Sequence, residues 1–141
     1  MISVTALLRP VAVSLVSILI VGQAALMFPA RADDGFPFGF EMTLDAARQS
    51  GSKRLPTLEI GDSGETRVEL WCKGGRGQFS VAGNTVIFVA GALEDRSCPE
   101  ARAQADDELL AALSEATSWK RQGDYVTFFG AKPLRFLLNT N

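Results

Sequence analysis

The chain has 141 residues, a formal net charge of −2 and no histidine. The missing histidine excludes Ser-His and Cys-His nucleophiles and any zinc site with a histidine ligand. The mildly acidic balance argues against nucleic acid or an anionic membrane surface as the main partner.

Residues 1–32 read as a secretory signal peptide. Arg9 supplies the positive n-region, Val11 to Met27 the apolar stretch, and Ala30-Arg31-Ala32 the small residues of a cleavage site. The alternative is a retained N-terminal membrane anchor, because the apolar stretch approaches a membrane-spanning length. Ser14, Ser17, Gly22 and Gln23 dilute it, and cleavage after Ala32 is the favoured expectation. No cysteine lies near the cut, which argues against a lipoprotein. Cleavage leaves one small domain, residues 33–141, with 12 basic against 16 acidic residues once Arg9 and Arg31 are lost. The expected location is the periplasm or the exterior, with no stable membrane anchor.

The Pro/Gly-rich stretch 33–37 reads as a loose start. Apolar Phe38, Phe40, Met42 and Leu44 alternate with other residues, which predicts a strand with one buried face. Residues 46–54 have no apolar period and read as a loop; residues 55–60 form a short strand, with Pro56 at its start or on a sheet edge. After the turn at 61–64, Thr66, Val68, Leu70 and Cys72 share one strand face, with Trp71 on the other among Arg67, Glu69 and Lys73. Gly74-Gly75-Arg76-Gly77 reads as a further hairpin turn, then a strand at 78–82 points Phe79 and Val81 together. Gly83-Asn84 reverses the chain into TVIFV (85–89), an apolar, β-branched run typical of a well-buried strand.

The period then becomes helical. Pro99 suits a first helical turn, Glu100 complements the positive end of the dipole, and Ala101, Ala105, Leu109, Ala112, Leu113 and Ala116 form a stripe. Arg102, Asp106 and Glu115 lie off it. Strands at 117–121, 125–129 and 134–138 follow, separated by turns at 122–124 and 130–133. About eight short strands with one helix predict an α+β fold: a strongly twisted antiparallel sheet or small barrel, wrapped around or covered by the helix.

The stretch 70–138 resembles the META domain, the module of the bacterial heat-shock protein HslJ and its relatives. The resemblance rests on Cys72, Gly77 and Phe79, on Cys98-Pro99, and on Asp106 before the run Leu109-Leu110-Ala111-Ala112-Leu113. It continues through Trp119, Gly123-Asp124, the strand 126–128, and Leu134-Arg135-Phe136. Two positions depart from the pattern: Lys73 stands where relatives usually carry asparagine, and Glu94 where a threonine commonly precedes the Cys-Pro pair. The resemblance implies a twisted sheet around one helix and links to heat shock, envelope stress, motility and secretion. It implies no established catalytic mechanism.

Cys72 and Cys98 are the strongest local signal. In an exported domain two cysteines usually pair, and the redox-active alternative normally needs the closeness of a C-x-x-C motif. A bond here would pin helix to sheet. The acidic clusters Glu94-Asp95 and Asp106-Asp107-Glu108 read as solvated surface or helix-dipole partners. The glycine-rich stretch 74–77 precedes a strand and so lacks the helix of a phosphate loop. Lys53-Arg54, Lys73 with Arg76, and Lys120-Arg121 read as solvated basic pairs, of which the first two could converge as a small anion patch. Trp71 reads as core; exposure would make it a binding surface.

No catalytic, cofactor or metal residue is assigned. The expected function is a non-enzymatic envelope protein that binds or supports another envelope component. Nine phenylalanines suggest the alternative of a carrier for a small apolar ligand inside the barrel. A carboxylate-based enzyme would require two acids converging in a cleft.

Overall fold

In a computed structural model the described residues are 35–140; the leader and cleavage site expected from the sequence lie outside them. Eight strands close into an antiparallel barrel: β1 (Glu41–Leu44), β2 (Thr57–Ile60), β3 (Glu65–Glu69), β4 (Gly74–Ala82), β5 (Thr85–Leu93), β6 (Ser118–Gln122), β7 (Tyr125–Phe129) and β8 (Leu134–Leu138). One helix, α1 (Glu100–Ser114), sits between β5 and β6 in the chain and packs against β5. The α+β expectation of a small eight-strand barrel with one helix holds. No helix among the described residues is long and apolar enough to cross a membrane.

Each strand pairs with its chain neighbour, and β8 returns to β1 with Met42 opposite Leu138. The thin seam is β5–β6, where Thr85 faces Ser118 alone. It is extended by the N–H of Val86 donating to Thr117 (3.1 Å) and that of Trp119 to Asn84 (2.9 Å). Alternation sends one face of each strand inward. Met42, Leu58, Ile60, Val68, Phe79, Val86, Phe88, Val126, Phe128 and Phe136 therefore fill the barrel, with Leu113 of α1 added from the helix. The rings of Phe79, Phe88, Phe128 and Phe136 pack with centroids 4.8–5.8 Å apart.

Five expectations need correction. The first strand begins at Glu41, because Gly39 at φ 78° turns the chain and leaves Phe40 exposed. Residues 35–37 are no loose start: Pro37 is buried, and the Phe36 ring meets Trp119 edge-on at 4.9 Å and Phe38 at 4.6 Å, closing the barrel mouth. Gly74–Gly77 opens β4 and is not the turn, which lies at residues 70–73, closed by the Leu70 N–H donating to Lys73 (2.8 Å). These glycines provide room: a Cβ on Gly77 would lie 2.5 Å from the Phe88 ring, and one on Gly75 2.6 Å from the Ala92 carbonyl oxygen. The run 85–89 is buried on one face only, since a barrel strand has an outside, and Ile87 and Val89 are about 60% exposed there. On α1, Ala101 is exposed, whereas Asp106 is fully buried.

Candidate functional site

The β3–β4 turn, Trp71-Cys72-Lys73, is held from three directions. Cys72 is disulfide-bonded to Cys98 with Cα atoms 6.0 Å apart, which joins the turn to the segment entering α1. Asp106, in the second turn of the helix, reaches the same turn from inside. The Lys73 N–H donates to its Oδ2 at 2.8 Å, and the Cys72 N–H is shared between both carboxylate oxygens at 3.2 and 3.3 Å. A buried carboxylate that accepts from backbone N–H groups has its lone pairs matched, which is the condition for burying it. From outside, Arg54 and Arg96 each donate to the Cys72 carbonyl oxygen, at 3.1 and 3.2 Å, and both pair with Glu69.

Arg96 also pairs with Glu94, and these carboxylates raise its pKa, with the hydrogen bond to Glu94 the largest cause. The sequence expectation of a solvated acid or dipole partner does not hold for Asp106, which ties helix to turn. Asp107 and Glu108 do face solvent. The convergence of the first two basic pairs is partial, because Arg54 reaches the Cys72–Lys73 turn but is neutralised by Glu69.

Trp71 is buried, as its core reading expected, yet it lies at the floor of a cleft of about 280 Å³. The cleft opens between α1 and two connections, the β1–β2 loop (45–56) and the β7–β8 turn (130–133). The buried part of its apolar lining is Leu44, Trp71, Leu109, Ala112 and Leu134, whose residual exposures are 5–7%. All other buried hydrophobic residues among those described are at 4% or below. The core therefore approaches the surface at this cleft. The rim carries Asp45, Glu108, Lys132 and Arg135. Asp45 and Arg135 are paired through Arg135 Nε (2.7 Å), and the Asp45 N–H donates to the Arg135 carbonyl at 2.8 Å. Glu108 and Lys132 form no ion pair among the described residues, and Glu108 accepts only from Gln104 on its own helix at 3.3 Å.

The remaining signature residues are spread through the barrel rather than gathered here. Gly77 makes room for Phe88, Phe79 and Phe136 are core rings, and Pro99 is the helix N-cap, one position before the first turn expected for it. Trp119 donates its indole N–H to the Gly83 carbonyl (2.7 Å) across the β5–β6 seam. Gly123, at φ 61°, makes the β6–β7 turn, and the Asp124 carbonyl accepts from Leu138 at 2.8 Å. Of the two departures, Lys73 contributes its backbone N–H to Asp106, and Glu94 its N–H to the Gly74 carbonyl at 2.7 Å. Sequence reasoning singled out Trp71 but missed Leu44, Glu108, Lys132 and Leu134 as cleft residues, since each looks like ordinary core or surface until loop and helix meet.

Comparison with known proteins is consistent with this architecture. A protein with an NMR structure superposes with a TM-score of 0.55 at 15% identity, covering 71% of this chain and 89% of its own. That likeness shows the fold. No curated protein matches. The family model for the META domain matches residues 41–140, from the first residue of β1 to beyond the end of β8, and the chain belongs to the META domain family.

Proposed function

We propose that this META domain is an exported, non-enzymatic binding module of the cell envelope, and that its partner seats in the Trp71 cleft. One observation carries the reading: Leu44, Trp71, Leu109, Ala112 and Leu134, which keep 5–7% exposure where the other buried hydrophobic residues keep 4% or less, converge on one cleft. Concave apolar floors with a few placed polar groups are the usual form of binding sites. Two features support it. The turn that presents Trp71 is fixed by a disulfide and by Asp106, which suits a pre-organised surface. The buried carboxylate is committed to that fixing, with both oxygens engaged by backbone N–H groups. An oxidising compartment agrees with the disulfide. The cleft is preferred to a ligand inside the barrel, which would have to displace the packed rings of Phe79, Phe88, Phe128 and Phe136.

The test is photo-crosslinking in intact cells, with a photoreactive residue at Ala47 on the cleft lining or at Ser80 on the outer face of β4. Mass spectrometry of the recovered protein also reads the mature N-terminus. Adducts of defined mass from position 47 and not from position 80 are expected, on a chain starting at residue 33. Equal adducts from both positions, or none, would refute the cleft as the binding site.

A further inference from the structure

Building on the cleft as a binding site, we infer that its ligand is a small zwitterion carrying one bulky apolar side chain, either an aromatic or branched α-amino acid or a dipeptide that contains one. Size, floor and charge each narrow the choice. A cleft of about 280 Å³ lies at the lower edge of the range for small-molecule sites, which leaves room for roughly a dozen non-hydrogen atoms. The floor of Leu44, Trp71, Leu109 and Leu134 offers an aromatic face and branched aliphatic groups that are already nearly dry. An apolar group that completes this seal removes the remaining core exposure from water.

The charges on the rim decide what the apolar body must carry. Asp45 and Arg135 satisfy each other, so neither calls for a charged ligand group. Glu108, on α1, and Lys132, on the β7–β8 turn, line the same cleft from different elements. They are opposite in sign and lack ion-pair partners among the described residues. A ligand with one charge would pair with only one of them. A ligand with an ammonium and a carboxylate answers both, the ammonium at Glu108 and the carboxylate at Lys132, each by a charge-assisted hydrogen bond. Specificity then follows from the pair, since an analogue lacking either group forfeits one charge-assisted contact, a modest loss at exposed side chains.

The experiment uses the mature, oxidised domain with Trp119→Phe, which leaves Trp71 as its sole tryptophan and an internal reporter. The probes are L-phenylalanine, L-leucine, glycyl-L-phenylalanine, 3-phenylpropionate and phenethylamine. At about −0.3 kcal/mol per non-hydrogen atom, a dozen atoms give dissociation constants in the millimolar range, falling toward 0.1 mM with good charge contacts. Saturable changes in Trp71 emission are expected with one or more zwitterions, each roughly fivefold tighter than either singly charged analogue. The amino acids against glycyl-L-phenylalanine distinguish a free amino acid from a dipeptide. Glu108→Gln should weaken the zwitterions and phenethylamine but not 3-phenylpropionate, and Lys132→Gln should weaken the zwitterions and 3-phenylpropionate but not phenethylamine. Both residues are exposed, so these variants should fold.

Equal affinity for 3-phenylpropionate and L-phenylalanine, or indifference to Glu108→Gln, would overturn the zwitterion while leaving the cleft a binding site. No saturation with any probe to about 10 mM would also overturn the ligand class. Adducts at position 47 in cells would then still uphold the broader reading, and their absence would remove both.

Discussion

Replacing Asp106 by alanine gives the most direct test of how the helix is joined to the barrel. The carboxylate is fully buried and accepts two backbone N–H groups, one in a short contact of 2.8 Å to Lys73 and one shared at 3.2 and 3.3 Å with Cys72. Hydrogen bonds to a charged acceptor contribute about 1.5–3 kcal/mol each, and the shared bond belongs at the weak end. Removing the acceptor strands both donors, so a loss of about 3 kcal/mol is expected. With a urea m-value of about 1.5 kcal/mol/M, that moves the midpoint down by about 2 M, and it lowers Tm by roughly 12–20 °C. Asp106→Asn should lose about 2 kcal/mol, because its amide presents one acceptor and one donor to two N–H donors. The assay is urea unfolding of the oxidised domain followed by far-UV circular dichroism, with exposed Asp107→Ala as the control. If Asp106→Ala stays within 0.5 M of the wild type, or matches Asp107→Ala, the assignment of Asp106 as the tie is wrong.

The disulfide closes a loop of 26 residues, which by the chain-entropy model contributes about 3.5 kcal/mol. Cys72→Ser with Cys98→Ser should lower unfolding stability by about 3 kcal/mol. Because it holds the same turn, combination with Asp106→Ala should depart from additivity by about 1 kcal/mol or more in the same titration. Gly77→Ala pushes a methyl against the Phe88 ring and should cost about 2 kcal/mol, measured as a fall in the urea midpoint. Phe36→Ala unplugs the barrel mouth; a loss of about 2 kcal/mol is expected, with a red shift of Trp119 emission in a Trp71→Phe background.

The strands β7 and β8 were legible to the residue, because strict alternation in 125–129 and 134–138 is bounded by Gly-Asp and Lys-Pro turns. Glycine was ambiguous. At 83 and 123 it serves positive φ, whereas at 75 and 77 it yields space to β5, and the ring of Phe88 that demands the space is eleven residues from Gly77. The run 85–89 is not legible as one-sided, because an apolar outer face, here Ile87 and Val89, carries no mark distinguishing it from an inner one. Asp106 looked like a surface acid, since the two N–H groups that justify its burial lie 34 and 33 residues away in the chain. The cysteine pairing could be argued from composition and spacing. The cleft could not, as it exists only where α1, the 45–56 loop and the 130–133 turn meet.

The clamp and the cleft share a residue stretch, and that has a thermodynamic consequence. Trp71 sits next to Cys72, and Ala105, Glu108 and Leu109 flank Asp106 on the helix, so the groups that fix α1 to the turn also set the width of the cleft. A ligand bound there favours the clamped arrangement, and by linkage the clamped arrangement favours the ligand. At ten times its dissociation constant the ligand adds about 1.4 kcal/mol to unfolding stability, less than half the expected loss in Asp106→Ala. A ligand therefore raises the wild-type urea midpoint by about 1 M but restores the variant only in part. If the loosened turn costs about 1.4 kcal/mol of binding free energy, the variant's own affinity is about tenfold lower, and its gain at the same ligand concentration falls to about 0.4 kcal/mol. Equal stabilisation of wild type and variant across a ligand titration would show that the cleft does not depend on the clamp, and that Asp106 serves the fold without shaping the site.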